Sequence, residues 1–221
     1  MGGKVGGICM SKSAICLLAV LVLALGVSSC AKPPQVEMDG AKAAIEKART
    51  AEAAEYAAQD LKAAEDSLAK ADAEVNTQQG KFALFRSYKK ATALYQSANQ
   101  LAQQAEANAV KNKEQARQDS EATMQQAQAN IAKVKELLAS KEVAALRRGK
   151  ETREALKQIE AELVAQDSTL ATQVQPLHGQ EKFKQSLQMA RNVDSKVQAL
   201  MSEIQQAIET KQTIRTMPAS R

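Results

Sequence analysis

The sequence predicts an all-α protein built from Ala-rich, antiparallel, coiled-coil-like helical hairpins, with two hairpins in tandem. The first observation is composition: aromatic residues make up 3% of the 221 residues, Trp is absent, and Pro176 is the only proline between Pro34 and Pro218. The second is periodicity, because apolar side chains recur three and four residues apart over long stretches. An elongated rod and a compact four-helix bundle both remain open, and the little surface that Ala buries favours the elongated form.

An apolar run over residues 14–27 precedes this helical region, and Lys4 and Lys12 precede the run. The run is shorter than the roughly 20 apolar residues that a membrane span needs. A short charged lead, an apolar stretch and small residues at its end are typical of a secretory signal peptide, which we assign to residues 1–29. A buried core helix is the alternative, but no other segment is apolar enough to surround one. Translation from Met10 rather than Met1 would also give a sufficient signal peptide.

The last four residues of this segment, "VSSC" (Val27 to Cys30), resemble the lipobox of bacterial lipoproteins. The resemblance implies that the Cys30 thiol carries a diacylglyceryl group, that the new N-terminus is acylated, for instance with palmitate, and that several acyl chains give stable anchoring. Ala31 after the cysteine implies export to the outer membrane, facing the periplasm. Cys9 and Cys16 would leave with the signal peptide, so we expect no disulfide in the mature protein.

The mature chain begins with a tether, residues 30–39, in which Pro33 and Pro34 delay the first helix. We predict a first hairpin over residues 40–115. Its first helix spans residues 40–78, is capped by Asp39, and ends at Gly80. The second helix carries a seam of Tyr and Ala side chains. Three aromatic residues near the turn are expected to pack into that end of the hairpin: Phe82, Phe85 and Tyr88.

A second hairpin is predicted over residues 116–214, followed by a disordered tail over residues 215–221. Its first helix has a possible bend at Gly149 and ends at a turn over residues 174–179, where Pro176 discourages continuation. The last helix spans residues 180–214. Between the two hairpins, residues 109–128 contain neither Pro nor Gly, so the second helix could run directly into the third.

The two halves of the chain resemble each other when the sequence is shifted by 95 residues. Leu61, Leu68 and Tyr88 then fall on Leu156, Leu163 and Phe183, and the turns coincide. This pattern indicates a duplicated helical hairpin. A chance match between two Ala- and Leu-rich hairpins is the alternative.

The first hairpin resembles a known family. The lipobox, the Pro-bearing tether, "AKAAIEKARTAEAAEYAAQDLKAAEDSLAKADAEV", a Gly turn and "YKKATALYQSANQLAQQAEANA" together are similar to the domain of unknown function 4398, over about residues 30–110. The resemblance implies a bacterial envelope lipoprotein with an Ala-rich helical hairpin. It implies no established activity, and Cys30 is the only functional residue that can be carried over.

Neither an enzyme nor a nucleic-acid-binding protein is indicated. The formal charge is +5 for the whole chain, and removal of Lys4 and Lys12 leaves +3, with both signs interspersed as on solvated helix faces. His178 is the single histidine and is expected at a surface turn, so we assign no catalytic residue, cofactor or metal. A basic stripe interleaved with aromatic residues, as in nucleic-acid-binding proteins, is also absent.

Two non-enzymatic functions remain. The first is a lipid-anchored scaffold that presents helical faces to another envelope protein or to a second copy of itself. The second is a holding chaperone for unfolded envelope proteins, which requires exposed apolar residues at the helical tips, where the sequence offers Phe82, Phe85 and Leu177. Attachment to the cell wall through a C-terminal lysine is disfavoured by Arg221.

Overall fold

The computed structural model describes residues 32–216, with side chains through residue 213. These residues form helices and turns, which confirms the predicted all-α class. The predicted signal peptide, Cys30 and residues 217–221 lie outside the described part. In chain order the helices are α1 (Gln35–Thr50), α2 (Ala53–Tyr56), α3 (Ala58–Gln79), α4 (Lys89–Leu138), α5 (Lys141–Leu146), α6 (Lys150–Thr169), α7 (Gln175–Gly179) and α8 (Phe183–Thr216).

Two shorter turns complete the secondary structure. A 3-10 turn spans Ala83–Phe85 between α3 and α4, and a π-helical turn spans Leu170–Val174 between α6 and α7. The chain divides into two compact units after Val110, within α4. We call them unit 1 and unit 2. The boundary predicted from the sequence lies five residues later, after residue 115.

Unit 1 is a bundle of three helices rather than a two-helix hairpin, because the predicted first helix over residues 40–78 folds back on itself. Residues 51–57 reverse the chain, so that Arg49 near the end of α1 lies 2.6 Å from Glu65 in α3. Glu52 adopts the left-handed conformation, with φ of 59°. The prediction was wrong because this segment contains mostly Ala and Glu, which are good helix formers, and no Gly or Pro. Tertiary packing overrides their preference.

The first helix also begins earlier than predicted. α1 starts at Gln35 with Pro34 at the N-cap, so Asp39 lies inside the helix and is not its cap. The helix therefore begins immediately after the proline pair, which has no backbone N–H groups to leave unsatisfied at a helix start. The helix consequently begins five residues after Cys30.

The core of unit 1 consists largely of alanine. α1, α3 and the first part of α4 meet at a cluster of small side chains around one fully buried tyrosine, Tyr95, which is 1% exposed. The buried members are Ala41, Ala71, Ala91, Tyr95 and Ala98, with Met38, Leu68, Val75 and Leu94 packed against them. Alanine lets the helix backbones approach closely, at the cost of little apolar area per residue.

Unit 2 is also a three-helix bundle. The second part of α4 and α8 run parallel, since Ser120 bonds to Ser186 at 2.9 Å and Asn130 donates to Asp194 at 2.8 Å. α6, the π-helical turn and α7 pack against α8 and return antiparallel to it, because only residues 180–182 connect them. The core holds large aliphatic side chains, among them Ile131, Val134, Leu146, Leu156, Leu163, Leu170, Val193, Val197, Leu200 and Ile204.

The turn at the end of the third helical segment lies later than predicted. The helix continues through the π-helical turn and α7 to Gly179, and the reversal occurs at residues 180–182, where Glu181 has φ of 59°. Pro176 sits in the first turn of α7 and does not end the helical path. The π-helical turn before it shifts the hydrogen-bond register, which accommodates a residue that cannot donate a backbone hydrogen bond.

The two units share their helix order and their break positions. Under the 95-residue shift, the reversal at residues 51–57 falls on residues 146–152, which contain the connection between α5 and α6. The start of the helix at Tyr88 and Lys89 likewise falls on Phe183 and Lys184, the start of α8. This agreement favours duplication of a three-helix unit over a chance match of two hairpins.

Candidate functional site

The most prominent surface feature of unit 1 is an exposed apolar turn between α3 and α4. Phe82, Leu84 and Phe85 are 71%, 69% and 75% exposed, and we call these three residues the apolar tip. The prediction that Phe82 and Phe85 pack into the hairpin end is therefore wrong, whereas Tyr88 is buried as expected. The sequence pattern missed this because the 3-10 turn over Ala83–Phe85 points these side chains away from the helices.

The backbone of the tip is held in place by Arg86. Its Nε donates to the carbonyl oxygen of Lys81 and its terminal nitrogen to that of Gln79, both at 2.9 Å. These carbonyls lie at the C-terminal end of α3, where backbone acceptors lack helical partners and a positive charge is favourable. The exposed side chains are thus presented on a braced turn.

A second brace links the tip to α3 through Gln78. The buried Gln78 accepts a hydrogen bond from the backbone N–H of Ser87 at 3.1 Å and donates to Glu74 at 2.7 Å. Lys90 forms an ion pair with the same carboxylate at 2.9 Å. The hydrogen bonds from Lys90 and then Gln78 hold the pKa of Glu74 below its ordinary value. The carboxylate is therefore charged, and holds both partners, at neutral pH.

The segment that carries the tip is rich in cationic residues. The sequence contains no acidic residue between Glu74 and Glu106, whereas Lys81, Arg86, Lys89 and Lys90 all fall in that interval. Lys81 and Lys89 are exposed. An exposed apolar turn flanked by exposed lysines is complementary to a surface that combines apolar and anionic groups.

The tip lies at the same end of unit 1 as the start of α1. Pro33, Pro34 and Gln35 line one cleft together with Asn76 and Gln79, close to the end of α3. The first turn of α1 adds a fourth exposed apolar side chain, Val36, at 82% exposure. Among the described residues, the other large apolar side chains that are strongly exposed are Val110 and Val164, so most of this exposure is concentrated at one end of unit 1.

Tyr95 and Asp72 also line this cleft. The Tyr95 hydroxyl donates to the Asp72 carboxylate at 2.5 Å. Burial raises the pKa of the Tyr95 phenol, and the hydrogen bond to Asp72 raises it further. The phenol therefore stays neutral and donates the bond at physiological pH, which ties α4 to α3 beneath the tip.

Unit 2 contains a buried polar chain next to its π-helical turn. The Ser120 hydroxyl donates to Ser186, and Ser186 donates to the carbonyl oxygen of Val174 at 3.1 Å. Nδ1 of His178 lies 3.2 Å from Ser120 and completes the chain as a donor when it carries the proton. His178 is thus half-buried against Phe183 within α7, not at a surface turn as predicted. Both serine hydroxyls belong to fully buried residues, so this arrangement is structural and does not present a nucleophile.

Neither a metal site nor a membrane-spanning helix is found in the described part of the chain. Within residues 32–216 no group of three His, Cys, Asp or Glu side chains is placed to hold a metal ion. No helix in that part has both the length and the apolarity to cross a membrane. The predicted lipidation residue, Cys30, lies outside it.

Comparison with known families finds a similarity that covers most of unit 1. Residues 36–121 match the family "Domain of unknown function (DUF4398)". This match confirms the resemblance inferred from the sequence. It begins in the first turn of α1 and ends within α4, eleven residues past the end of unit 1. In this chain the matched DUF4398 region holds three packed helices, where the resemblance implied a two-helix hairpin. No curated protein and no solved structure matches the chain.

Proposed function

We propose that the protein is a non-enzymatic lipoprotein of the bacterial cell envelope, anchored to the outer membrane through Cys30 and facing the periplasm. The observation that carries the proposal is "VSSC" directly after an apolar run of signal-peptide length. The DUF4398 match over residues 36–121 supports it, because that resemblance implies an envelope lipoprotein.

The start of α1 supports a role close to the membrane. Only residues 31–34 separate Cys30 from Gln35, the first helical residue. Even a fully extended chain over this distance spans about 18 Å. A lipid on Cys30 would therefore keep unit 1 next to the bilayer, as suits a scaffold that recruits another envelope component to the membrane surface.

The partner is proposed to be another envelope protein or a second copy of this chain. Two three-helix bundles present long helical faces with charged residues, which are suited to side-by-side packing with another helical surface. Cross-linking in living cells followed by mass spectrometry identifies the partner. One dominant adduct is expected for a scaffold, whereas a broad spread of unfolded outer-membrane proteins would contradict it.

The anchor is tested by Cys30→Ser. Cys16→Ser is the matched control, because it makes the same change at a cysteine that lies within the signal peptide and is not lipidated. We expect Cys30→Ser to leave the precursor unprocessed or the protein soluble, and Cys16→Ser to behave as the wild type. Membrane fractionation and mass spectrometry of the N-terminal peptide measure both outcomes. Mature, membrane-bound Cys30→Ser protein would refute the anchor.

A holding chaperone is the second candidate, and the exposed apolar tip is the observation that favours it. Three exposed apolar side chains on a braced turn would offer a contact for unfolded clients. The patch is small, however, and this ranks the chaperone below the scaffold. Phe82→Ser, Leu84→Ser and Phe85→Ser together should abolish any suppression of client aggregation if the chaperone function is correct, and Val164→Ser should not.

A further inference from the structure

We propose that the apolar tip inserts into the headgroup region of the bilayer that holds the lipid on Cys30, giving unit 1 a second membrane contact. This inference rests on the proposed lipid anchor. It concerns a different surface of the protein, and it assigns the exposed residues Phe82, Leu84 and Phe85 to an anionic lipid surface rather than to a protein partner.

Position is the first argument. Pro33, Pro34 and Gln35 lie beside Asn76 and Gln79, and α3 leads through Gly80 directly into the tip. The point where the chain would approach its lipid and the apolar tip therefore lie at one end of unit 1. A bilayer held within about 18 Å of Gln35 by an anchor on Cys30 is within reach of that end.

The chemistry of the surface is the second argument. Phe and Leu side chains favour the interfacial region, where aromatic rings lie at headgroup level. Lys81 and Lys89 flank the tip and are exposed. Each lysine close to an anionic membrane contributes about a fivefold change in partitioning.

The rigidity of the turn is the third argument. Arg86 and Gln78 fix the backbone on both sides of the tip, so the apolar side chains stay exposed without collapsing onto the helices. A braced turn loses little conformational entropy when it inserts, because its backbone is already ordered. The mean exposed fraction of the three side chains, roughly seven tenths, leaves them available to lipid.

The first experiment measures the depth of the tip in the intact lipidated protein. Leu84→Cys introduces one thiol for a fluorescent label, since the Cys30 thiol is used by its lipid. Val110→Cys is the matched control, because Val110 is also an exposed aliphatic residue and lies at the opposite end of unit 1. The protein is reconstituted in vesicles of phosphatidylethanolamine and phosphatidylglycerol that carry a spin-labelled lipid as quencher. We expect quenching of the label at residue 84 and little at residue 110.

The second experiment removes the dependence on the anchor. The full mature chain with Cys30→Ser is partitioned into the same vesicles. Replacing Lys81 and Lys89 together by Ala should weaken partitioning about 25-fold. The control variant, Lys47→Ala with Lys62→Ala, changes two exposed lysines near the chain reversal, at the opposite end of unit 1 from the tip. It should partition as the Cys30→Ser chain does.

The outcomes separate the two proposals. Equal, weak quenching at residues 84 and 110 in acylated protein would overturn the tip insertion and leave the anchor intact. An unacylated Cys30 together with specific tip partitioning would overturn the anchor and leave the tip insertion. A label at residue 84 that responds to an unfolded outer-membrane protein but not to lipid would overturn the insertion in favour of the chaperone.

Discussion

Unit 1 and unit 2 share one helix order but differ in the size of their core side chains. Unit 1 packs alanines around Tyr95, whereas unit 2 packs leucine, isoleucine and valine along its whole length. Apolar burial therefore contributes more to the free energy of unfolding in unit 2 than in unit 1. Both units have hydrogen bonds between helices, such as Tyr95 to Asp72 in unit 1 and Asn130 to Asp194 in unit 2. Because apolar burial contributes less in unit 1, these bonds make up a larger share of its stability.

The largest expected effect tests the aliphatic core of unit 2. Leu163 is 3% exposed, so Leu163→Ala should lower the free energy of unfolding by about 2–5 kcal/mol through lost burial and a cavity. Ala98→Gly in the core of unit 1 should cost about 1 kcal/mol, mainly through backbone entropy. Chemical denaturation measures both, and equal losses would contradict the difference between the cores.

A second substitution tests the polar ties of unit 1. Tyr95→Phe removes the hydroxyl that donates to Asp72, and loss of a hydrogen bond to a charged group costs about 1.5–3 kcal/mol. Under the 95-residue shift the counterpart of Asp72 is Asp167, which forms an exposed ion pair with Lys135. Lys135→Ala should cost less than about 1 kcal/mol. A larger loss for Lys135→Ala than for Tyr95→Phe would reverse our view of which unit relies on polar contacts.

Tyr88→Phe should make unit 1 more stable. The buried Tyr88 hydroxyl has no hydrogen-bond partner among the described residues, and unit 2 has Phe183 at the corresponding position. Removing a buried hydroxyl that has no hydrogen-bond partner should raise the free energy of unfolding by about 1 kcal/mol. Thermal unfolding measures the change. A decrease in stability would mean that the hydroxyl is bonded after all.

The smallest effect concerns pH. The pKa of Glu74 is lowered in the folded state, so its contribution to stability is present above the pKa of the unfolded chain and is lost as pH falls through the folded value. Acidification should therefore release Lys90 and Gln78 and loosen the turn at the tip. Glu74→Gln should reduce this pH dependence, as followed by backbone amide exchange of Ser87. If the amide exchange rate of Ser87 in the wild type did not change on acidification, the Glu74 carboxylate would not be what holds the turn.

Sequence periodicity predicted the helical class and most of the helical residues, because Ala, Leu, Gln and Lys leave few alternatives. It missed the reversal at residues 51–57, where no Gly or Pro signals a break and Glu52 takes a left-handed conformation that only packing can impose. It also placed a turn at Pro176, since the π-helical turn that accommodates this proline has no sequence signature.

The candidate surface was only half visible in the sequence. Phe82 and Phe85 were recognised as tip residues but assigned to the core, because aromatic side chains are usually buried. Leu84 and Val36 gave no signal, since their exposure depends on the 3-10 turn and on where α1 begins. The cationic interval between Glu74 and Glu106 was readable from the sequence and would have pointed to this end of the molecule.

The early start of α1 has a steric consequence for any partner. If Cys30 is lipidated, the gap between the bilayer and the nearest end of unit 1 is no wider than about 18 Å, and insertion of the tip would close it. A folded domain could not enter that gap. Recruitment would have to occur on the flanks of the bundle, so the anchor would restrict the directions of approach as well as fix the location.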